Sequence, residues 1–286
     1  MAGRSSDAVS VPEKGGTGMS TTKDFVIGLG RAFAGALIFS LPMFMTMEMW
    51  WIGFYIDPYR LALLLVLMVP LLTGVSRLGG LRNNEHWIDD LADSLVAIAV
   101  AAVAATAVLF LFNLITPEMP AREVIGKILI EIFPASVGAM LAQNQLGSAS
   151  REELEKVESS YWGELLIMAV GALFLSLNVA PTEEIELIAF QMSTWHIVAI
   201  ALISILLLHG IVYMVDFAGT ELRAESFLSV FMRFTVVGYV VVALVNLYLL
   251  WTFGRTDGLS LYQTLSIVAV LSFPGAIGAA FARLIL

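Results

Sequence analysis

Apolar runs long enough to cross a bilayer recur from one end of this chain to the other, and they exclude most folds before any motif is read. A helical span needs about 20 mainly apolar residues, because in hydrocarbon every backbone amide must find its partner inside the protein. Segments of this kind lie near 25–50, 59–77, 91–115, 122–143, 161–180, 194–216, 226–252 and 261–285. Only 14% of the 286 residues are charged, whereas soluble domains carry about a quarter. The expected fold class is an all-α polytopic membrane protein. The fourth segment is the weakest of the eight, since it holds Lys127 and Glu131.

Basic residues set the expected orientation, because cytoplasmic loops collect Lys and Arg. With eight spans and the N-terminus inside, the 15 Lys and Arg fall on or near the inner side except Arg60, Arg122, Lys127 and Arg255. Losing the fourth span would carry Arg151, Lys156 and Arg223 to the outside. The sequence therefore predicts eight spans with both termini cytoplasmic. Residues 1–24 are polar and read as a disordered tail. Residues 144–160 read as a charged cytoplasmic linker between 25–143 and 161–286. Residues 181–194 read as an outer loop with Glu183, Glu184 and Glu186 and no basic residue.

The two flanking blocks echo each other. GALIFSLPMFMTMEMW at 35–50 returns as GALFLSLNVAPTEEIE at 171–186, with Gly35/Gly171, Thr46/Thr182 and Glu48/Glu184 among the identities. Leu71, Leu72 and Gly74 match Leu207, Leu208 and Gly210. Ala92-Asp93-Ser94 matches Ala224-Glu225-Ser226. Phe133-Pro134-x-x-x-Gly138-Ala139-x-x-Ala142 matches Phe273-Pro274-x-x-x-Gly278-Ala279-x-x-Ala282. Matches in this constant order predict two copies of a four-helix unit. An even number of spans makes the copies parallel, with a pseudo-twofold axis along the membrane normal.

Chemistry would fall on the few charges inside or beside the spans. Glu48 lies 23 residues beyond Phe25, roughly 35 Å along a helix, at the outer mouth of the first span, and Glu184 is its counterpart. Two readings fit: an acidic ring that collects cations, or interfacial side chains beside the aromatic belt of Trp50 and Trp51. Asp93 and Glu225 open the third and seventh spans, either as an inner acidic constriction or as carboxylates suited to the positive end of a helix. Glu131 is the deepest carboxylate. Lys127, four residues earlier, is its expected ion-pair partner, and the sharper alternative is an ion or proton relay. Pro42, Pro70, Pro134 and Pro274 each remove a backbone donor inside a span. Gly138 and Gly278, with Ala142 and Ala282, give the small-xxx-small pattern of close helix contact. That pattern predicts the packing seam between the halves, or a hinge or gate. Asn113, Asn246 and His209 each call for an interhelical hydrogen bond.

The chain has no cysteine and three histidines, and His196 and His209 are not at a metal-ligand spacing. No cofactor or metal site is expected, no reactive constellation of an enzyme is visible, and no basic patch suits nucleic acid.

The run Arg31-Ala-Phe-Ala-Gly-Ala-Leu-Ile-Phe-Ser-Leu-Pro42, followed by Met45-Thr-Met-Glu-Met-Trp-Trp-x-Gly53, resembles the N-terminal signature of a family of bacterial integral membrane proteins of unknown function. The resemblance covers about 25–286. It implies a multi-pass protein of the cell inner membrane, usually described with seven spans, whose gene often neighbours one for a small single-span protein. The eight spans expected from charge depart from that description. The residues themselves point to a cation channel or secondary transporter, with Glu48, Glu184, Asp93, Glu225 and Glu131 as ion-binding positions and Pro42, Pro134, Gly138, Pro274 and Gly278 as gating or packing positions. The alternative is a non-transporting scaffold that holds a small single-span partner. The expected partners are the lipid bilayer, an inorganic cation and, in either case, further copies of the chain.

Overall fold

A computed structural model of the chain describes residues 19–78, 87–146, 161–218 and 231–285. Among the described residues every regular element is a helix. They are α1 Met19–Phe44, α2 Met47–Tyr55, α3 Pro58–Leu78, α4 Trp87–Leu111, α5 Ala121–Leu146, α6 Tyr161–Leu177, α7 Glu184–Gln191, α8 Thr194–Ala218, α9 Val237–Thr252 and α10 Leu261–Ile285, with a π-helical turn at Phe231–Val236 leading into α9.

Seven of these runs are long and apolar enough to cross a membrane: those in α1, α3, α4, α5, α8, the π turn with α9, and α10. The fourth segment of the sequence is among them, as Ala121–Gln143, despite its two charges. The short one is instead α6, whose 17 described residues reach about 26 Å against a hydrocarbon core of about 30 Å. The tail expected over 1–24 ends earlier than that, because α1 is already helical at Met19. Residues 1–18 and most of the expected linker lie outside the described residues.

Local chemistry explains where the helices start and stop. Asp57 precedes Pro58 and accepts the amides of Tyr59 at 2.8 Å and Arg60 at 3.1 Å, an N-cap followed by proline at the first helical position. Ser260 and Gln263 form a capping box at α10: the Ser260 amide donates to Gln263 Oε1 at 2.9 Å and the Gln263 amide to Ser260 Oγ at 3.3 Å. The C-terminal ends of α4 and α9 use one device twice. Asn113 (φ 58°) and Gly254 (φ 76°) take the left-handed conformation, and the next amide reaches back five residues: Leu114 to the Leu109 carbonyl and Arg255 to the Leu250 carbonyl, both at 2.8 Å. Asn113 is thus a turn residue past the end of α4, not the buried polar group expected inside a span.

The first span does not run through to Trp50. It breaks at Met45-Thr46, and Glu48 belongs to the separate short helix α2. Pro42 sits in the last turn of α1. The freed carbonyls are taken up locally: Thr46 Oγ1 donates to the Pro42 carbonyl at 2.6 Å, and the Trp50 indole donates to that of Phe44 at 2.7 Å. The second half breaks in the same way after α6, where Thr182 Oγ1 donates to the Val179 carbonyl at 2.8 Å and Asn178 Nδ2 to that of Phe174 at 2.7 Å. The stretch expected to be an outer loop contains α7.

α5 and α10 are the inner helices, with 72% and 67% of their spanning residues buried against at most 39% for the other spans. Each receives a neighbour at glycine distance. A Cβ on Gly35 of α1 would overlap the Gly138 carbonyl and Ala142 Cβ of α5, and one on Gly171 of α6 would overlap the Gly278 carbonyl and Ala282 Cβ of α10. The Phe-Pro-x-x-x-Gly-Ala segments therefore form the seam inside each half. This corrects the expectation that they join the halves: the small face of each segment is consumed by the first helix of its own half. α2 docks on α5 by the same means, since a Cβ on Gly126 would overlap the Gly53 carbonyl.

The halves meet through larger groups. Phe39 and Phe174 stack with ring centroids 4.5 Å apart, and Leu166 of α6 closes over Gly74 of α3. At the expected outer end, the Arg60 guanidinium makes two hydrogen bonds to the Asp257 carboxylate at 2.9 and 2.8 Å and one to the Trp251 carbonyl at 2.8 Å. It also lies 4.9 Å from the Trp251 ring centroid. The planar fork suits a bidentate carboxylate and an aromatic face together.

Two substitutions check the seam. Gly138→Ala and Gly278→Ala should each destabilise the detergent-solubilised protein by about 1–3 kcal/mol, the usual cost of overpacking. Gly210→Ala, where an added Cβ meets nothing within 4 Å, should leave the melting temperature unchanged or slightly raised. Equal melting of all three would mean that the glycines are not what lets the helices approach.

Candidate functional site

The two glutamates expected at the outer side occupy similar local settings. Glu48 stands in the first turn of α2 and is half-buried, and Glu184 stands in the first turn of α7 and is exposed. In both places a threonine two residues earlier folds back on the helix just ended. The Thr-x-Glu pattern is thus a stop-and-restart signal, with the carboxylate at the positive end of a new helix. Glu186, also in the first turn of α7, is paired with Arg255 at 3.4 Å, and Arg255 also donates to the Pro181 carbonyl. The acidic run does have a basic partner, supplied by the α9–α10 loop.

At the other end Asp93 is not in the first turn of its span. α4 starts at Trp87, so Asp89 and Asp90 take those positions and Asp93 lies a turn further in, half-buried. Asp90 is the more buried acid, 4% exposed, with Ser76 Oγ 3.4 Å from its Oδ1. The adjacent Asp89-Asp90 pair marks this place in the sequence, whereas the repeat singles out Asp93. Glu225 lies outside the described residues.

The deepest acid departs most from expectation. Glu131 is 2% exposed, and neither of its carboxyl oxygens has a hydrogen-bond partner among the described residues. The expected pair with Lys127 is not made. Lys127 Nζ instead lies 2.7 Å from Glu123 Oε1, 3.1 Å from the Leu114 carbonyl and 3.8 Å from Met119 Sδ. The reason is geometric. Helical side chains lean toward the N-terminus of their helix, which carries Lys127 toward Glu123 and away from Glu131. The turn that ends α4 presents its Leu114 carbonyl on the same side.

The environment of Glu131 is apolar. Ile130 and Ile132 beside it are buried. Val124, Ile128, Ala135 and Gly138 share its helical face by spacing. Ile128 packs against the cluster of Phe44, Ala105, Leu109 and Ile115. An unpaired ionised carboxylate in such surroundings costs several kcal/mol, on the order of the penalty for a buried ion without its partner. The position that matches it in the second half is Leu271, fully buried.

The second half has a neutral polar centre. Asn246, fully buried on α9, donates from Nδ2 to Ser272 Oγ of α10 at 3.1 Å, and Ser272 donates to the Val268 carbonyl at 2.7 Å. The interhelical bond expected for Asn246 is present. Gly275 leaves the space into which Asn246 and Ser176 project. His209 finds its partner in Thr235 at 2.8 Å, a residue of the π-helical turn. Pro42, Pro134 and Pro274 all lie within helices. Pro134 lines a small cavity with Phe39, Met43, Phe174 and Asn178. A second cleft of about 310 Å³ lies between Phe39 and Leu141 on one side and Gly171, Gly278 and Phe281 on the other. Its lining is almost wholly apolar.

Among the described residues no three His, Asp or Glu gather as a metal site. The arrangement offers one uncompensated carboxyl deep in the fold, a charged pair one turn above it, and single carboxylates at helix starts on the surface.

No curated protein and no solved structure matches the chain. The family described as "Putative integral membrane protein (DUF2391)" matches residues 28–286. With nearly the whole length matched and seven apolar helices able to cross a bilayer, the chain belongs to that family of multi-pass integral membrane proteins.

Proposed function

We propose that the protein is a secondary transporter for a cation, with Glu131 as the carboxyl that binds it. The observation that carries this reading is the burial of both Glu131 oxygens without a partner. Such a group is a liability to folding, since an isosteric apolar residue would remove the cost, and the matching position in the other half has taken that course with Leu271. An ionisable residue kept inside a membrane span is by default part of an ion or proton path.

The architecture behind this reading is eight spans in two parallel four-helix copies, with both termini cytoplasmic and the protein in the cell inner membrane. Its support is the short helix that follows the first helix of each half (α2 after α1, α7 after α6), the Gly35–Gly138 and Gly171–Gly278 approaches, and the two matching helix ends at Asn113 and Gly254. α6, an apolar helix of 17 residues, counts as the eighth span in this reading. Glu48 and Glu184 then lie at the outer side, where two carboxylates raise the local cation concentration. Asp93 stands at the inner side. Carriage rather than an open channel is favoured because the two clefts beside α5 and α10 are apolar and offer an ion no continuous polar route.

Flux in proteoliposomes tests the reading. Glu131→Gln should abolish cation movement while leaving the melting temperature unchanged or higher, because it removes a charge that folding must otherwise bury. The double variant Glu48→Gln, Glu184→Gln should lower flux several-fold at low ionic strength and little at high salt, as expected for steering by exposed charge. Absence of flux in the parent protein, with stable co-purification of a small single-span protein, would favour the scaffold reading instead.

A further inference from the structure

Glu123, Lys127 and Glu131 stand at i, i+4 and i+8 on α5, so the three side chains follow one another along a single face. Exposure falls along the series: 19% for the Glu123 side chain and 9% for that of Lys127, then 2% for Glu131. The lysine is the only charged group between a carboxylate that water reaches and one that it does not. It is held to the outer one by a 2.7 Å contact and by the Leu114 carbonyl at 3.1 Å. Its backbone and the base of its side chain are pinned, because a Cβ on Gly53 of α2 would stand 2.8–2.9 Å from Lys127 N, Cα and Cγ. Only the side chain beyond Cγ is then left to turn. Glu131 leans back toward this turn by the same rule that leans Lys127 toward Glu123.

Resting on the transport reading above, we propose that the cation carried at Glu131 is a proton, and that Lys127 is the positioning residue that gates it by exchanging Glu123 for Glu131 as its partner. While Glu131 is a neutral acid it needs no counter-charge, and Lys127 stays with Glu123, as the structure has it. When Glu131 gives its proton to water, its carboxylate is uncompensated. Lys127 turns inward across one helical turn to pair with it. Reprotonation of Glu131 from the other side returns the lysine to Glu123. One proton passes per cycle and no covalent bond other than O–H is made or broken.

The surroundings favour a proton over a metal ion. A divalent cation takes about 6–8 oxygen ligands, whereas Glu131 is a single carboxyl between isoleucines and an amine one turn away competes for it. The elements packed on α5 bring no further titratable group to this level. Among the described residues α1 has none after Arg31, α2 has Glu48 in its first turn and the exposed Tyr55 at its end, and α3 has none between Arg60 and Arg77. α4 has none after Asp93, and α6 none after Glu164. The charged neighbours that matter are Lys127 and Glu123 on α5 itself.

The experiment uses the full chain in proteoliposomes loaded with a pH-sensitive dye, with parallel arms for Na⁺, K⁺ and Ca²⁺. The parent should move protons. Lys127→Met should shift the pH of half-maximal flux upward by about one unit, the size of effect expected from a close opposite charge, since the ionised Glu131 loses its counter-charge. Glu123→Gln should shift it downward, because the lysine is released toward Glu131, and Lys127→Arg should stay near the parent. A merely structural lysine would not give opposite shifts in the two variants. Should Lys127→Met fail to fold, Glu123→Gln and Lys127→Arg decide the matter. Glu131-dependent flux of Na⁺, K⁺ or Ca²⁺ without proton movement overturns this proposal alone. So does proton flux whose pH profile ignores Glu123→Gln. A parent protein that moves none of the four ions overturns the transport reading as well.

Discussion

In hydrocarbon an apolar side chain gains little by leaving lipid for another apolar side chain, so helices adhere only where their surfaces fit closely. This chain meets that constraint with backbone against backbone. Gly35 lies on Gly138, Gly171 on Gly278 and Gly53 on Gly126, each so near that a Cβ has no room. The three contacts place α1 and α2 on α5, and α6 on α10. Everything buried in the fold follows from that placement, because α5 and α10 become the inner helices and the others wrap them. The halves are joined differently, by the Phe39–Phe174 ring contact and by the Arg60 clamp on Asp257 and Trp251.

Proline and threonine shape the ends of this arrangement. Pro42 closes α1 early, Thr46 and Trp50 satisfy the carbonyls left open, and α2 starts afresh with Glu48 in its first turn. α6 ends through Asn178 and Thr182 instead, and α7 then starts with Glu184 in its first turn. The recurrence of Thr-x-Glu therefore has a local physical cause, independent of any ion. That cause lowers the weight of the acidic ring and moves attention inward, to the one carboxyl that no local rule explains.

Glu131 is the exception to consistency in the fold. Its neighbours are apolar, its expected partner is engaged elsewhere, and its counterpart in the other half is a leucine. Natural sequences tend to break local rules at functional sites, and a buried carboxyl with a lysine held one turn away has the form of a group kept for exchange rather than for stability. Asn246 in the second half is neutral and bonded through Nδ2 to Ser272, so its unpartnered Oδ1 carries no charge to compensate.

Composition and hydropathy by themselves determined that the chain is an all-helical membrane protein, because the bilayer leaves a run of apolar residues almost no other solution. Spacing also determined which glycines face another helix and where Asn246 and His209 would seek hydrogen bonds. What these signals do not carry is partner choice. The small-residue face of Phe-Pro-x-x-x-Gly-Ala is equally suited to a helix of its own half or of the other, and only the tertiary structure decided for its own. Periodicity does not register a one-turn break, so the separation of Glu48 from the first span became visible only in the fold. The pairing of Lys127 was the hardest to read, since carboxylates lie at both i−4 and i+4. The lean of helical side chains and the Leu114 carbonyl, brought in by the turn after α4, settled it on Glu123 and left Glu131 alone.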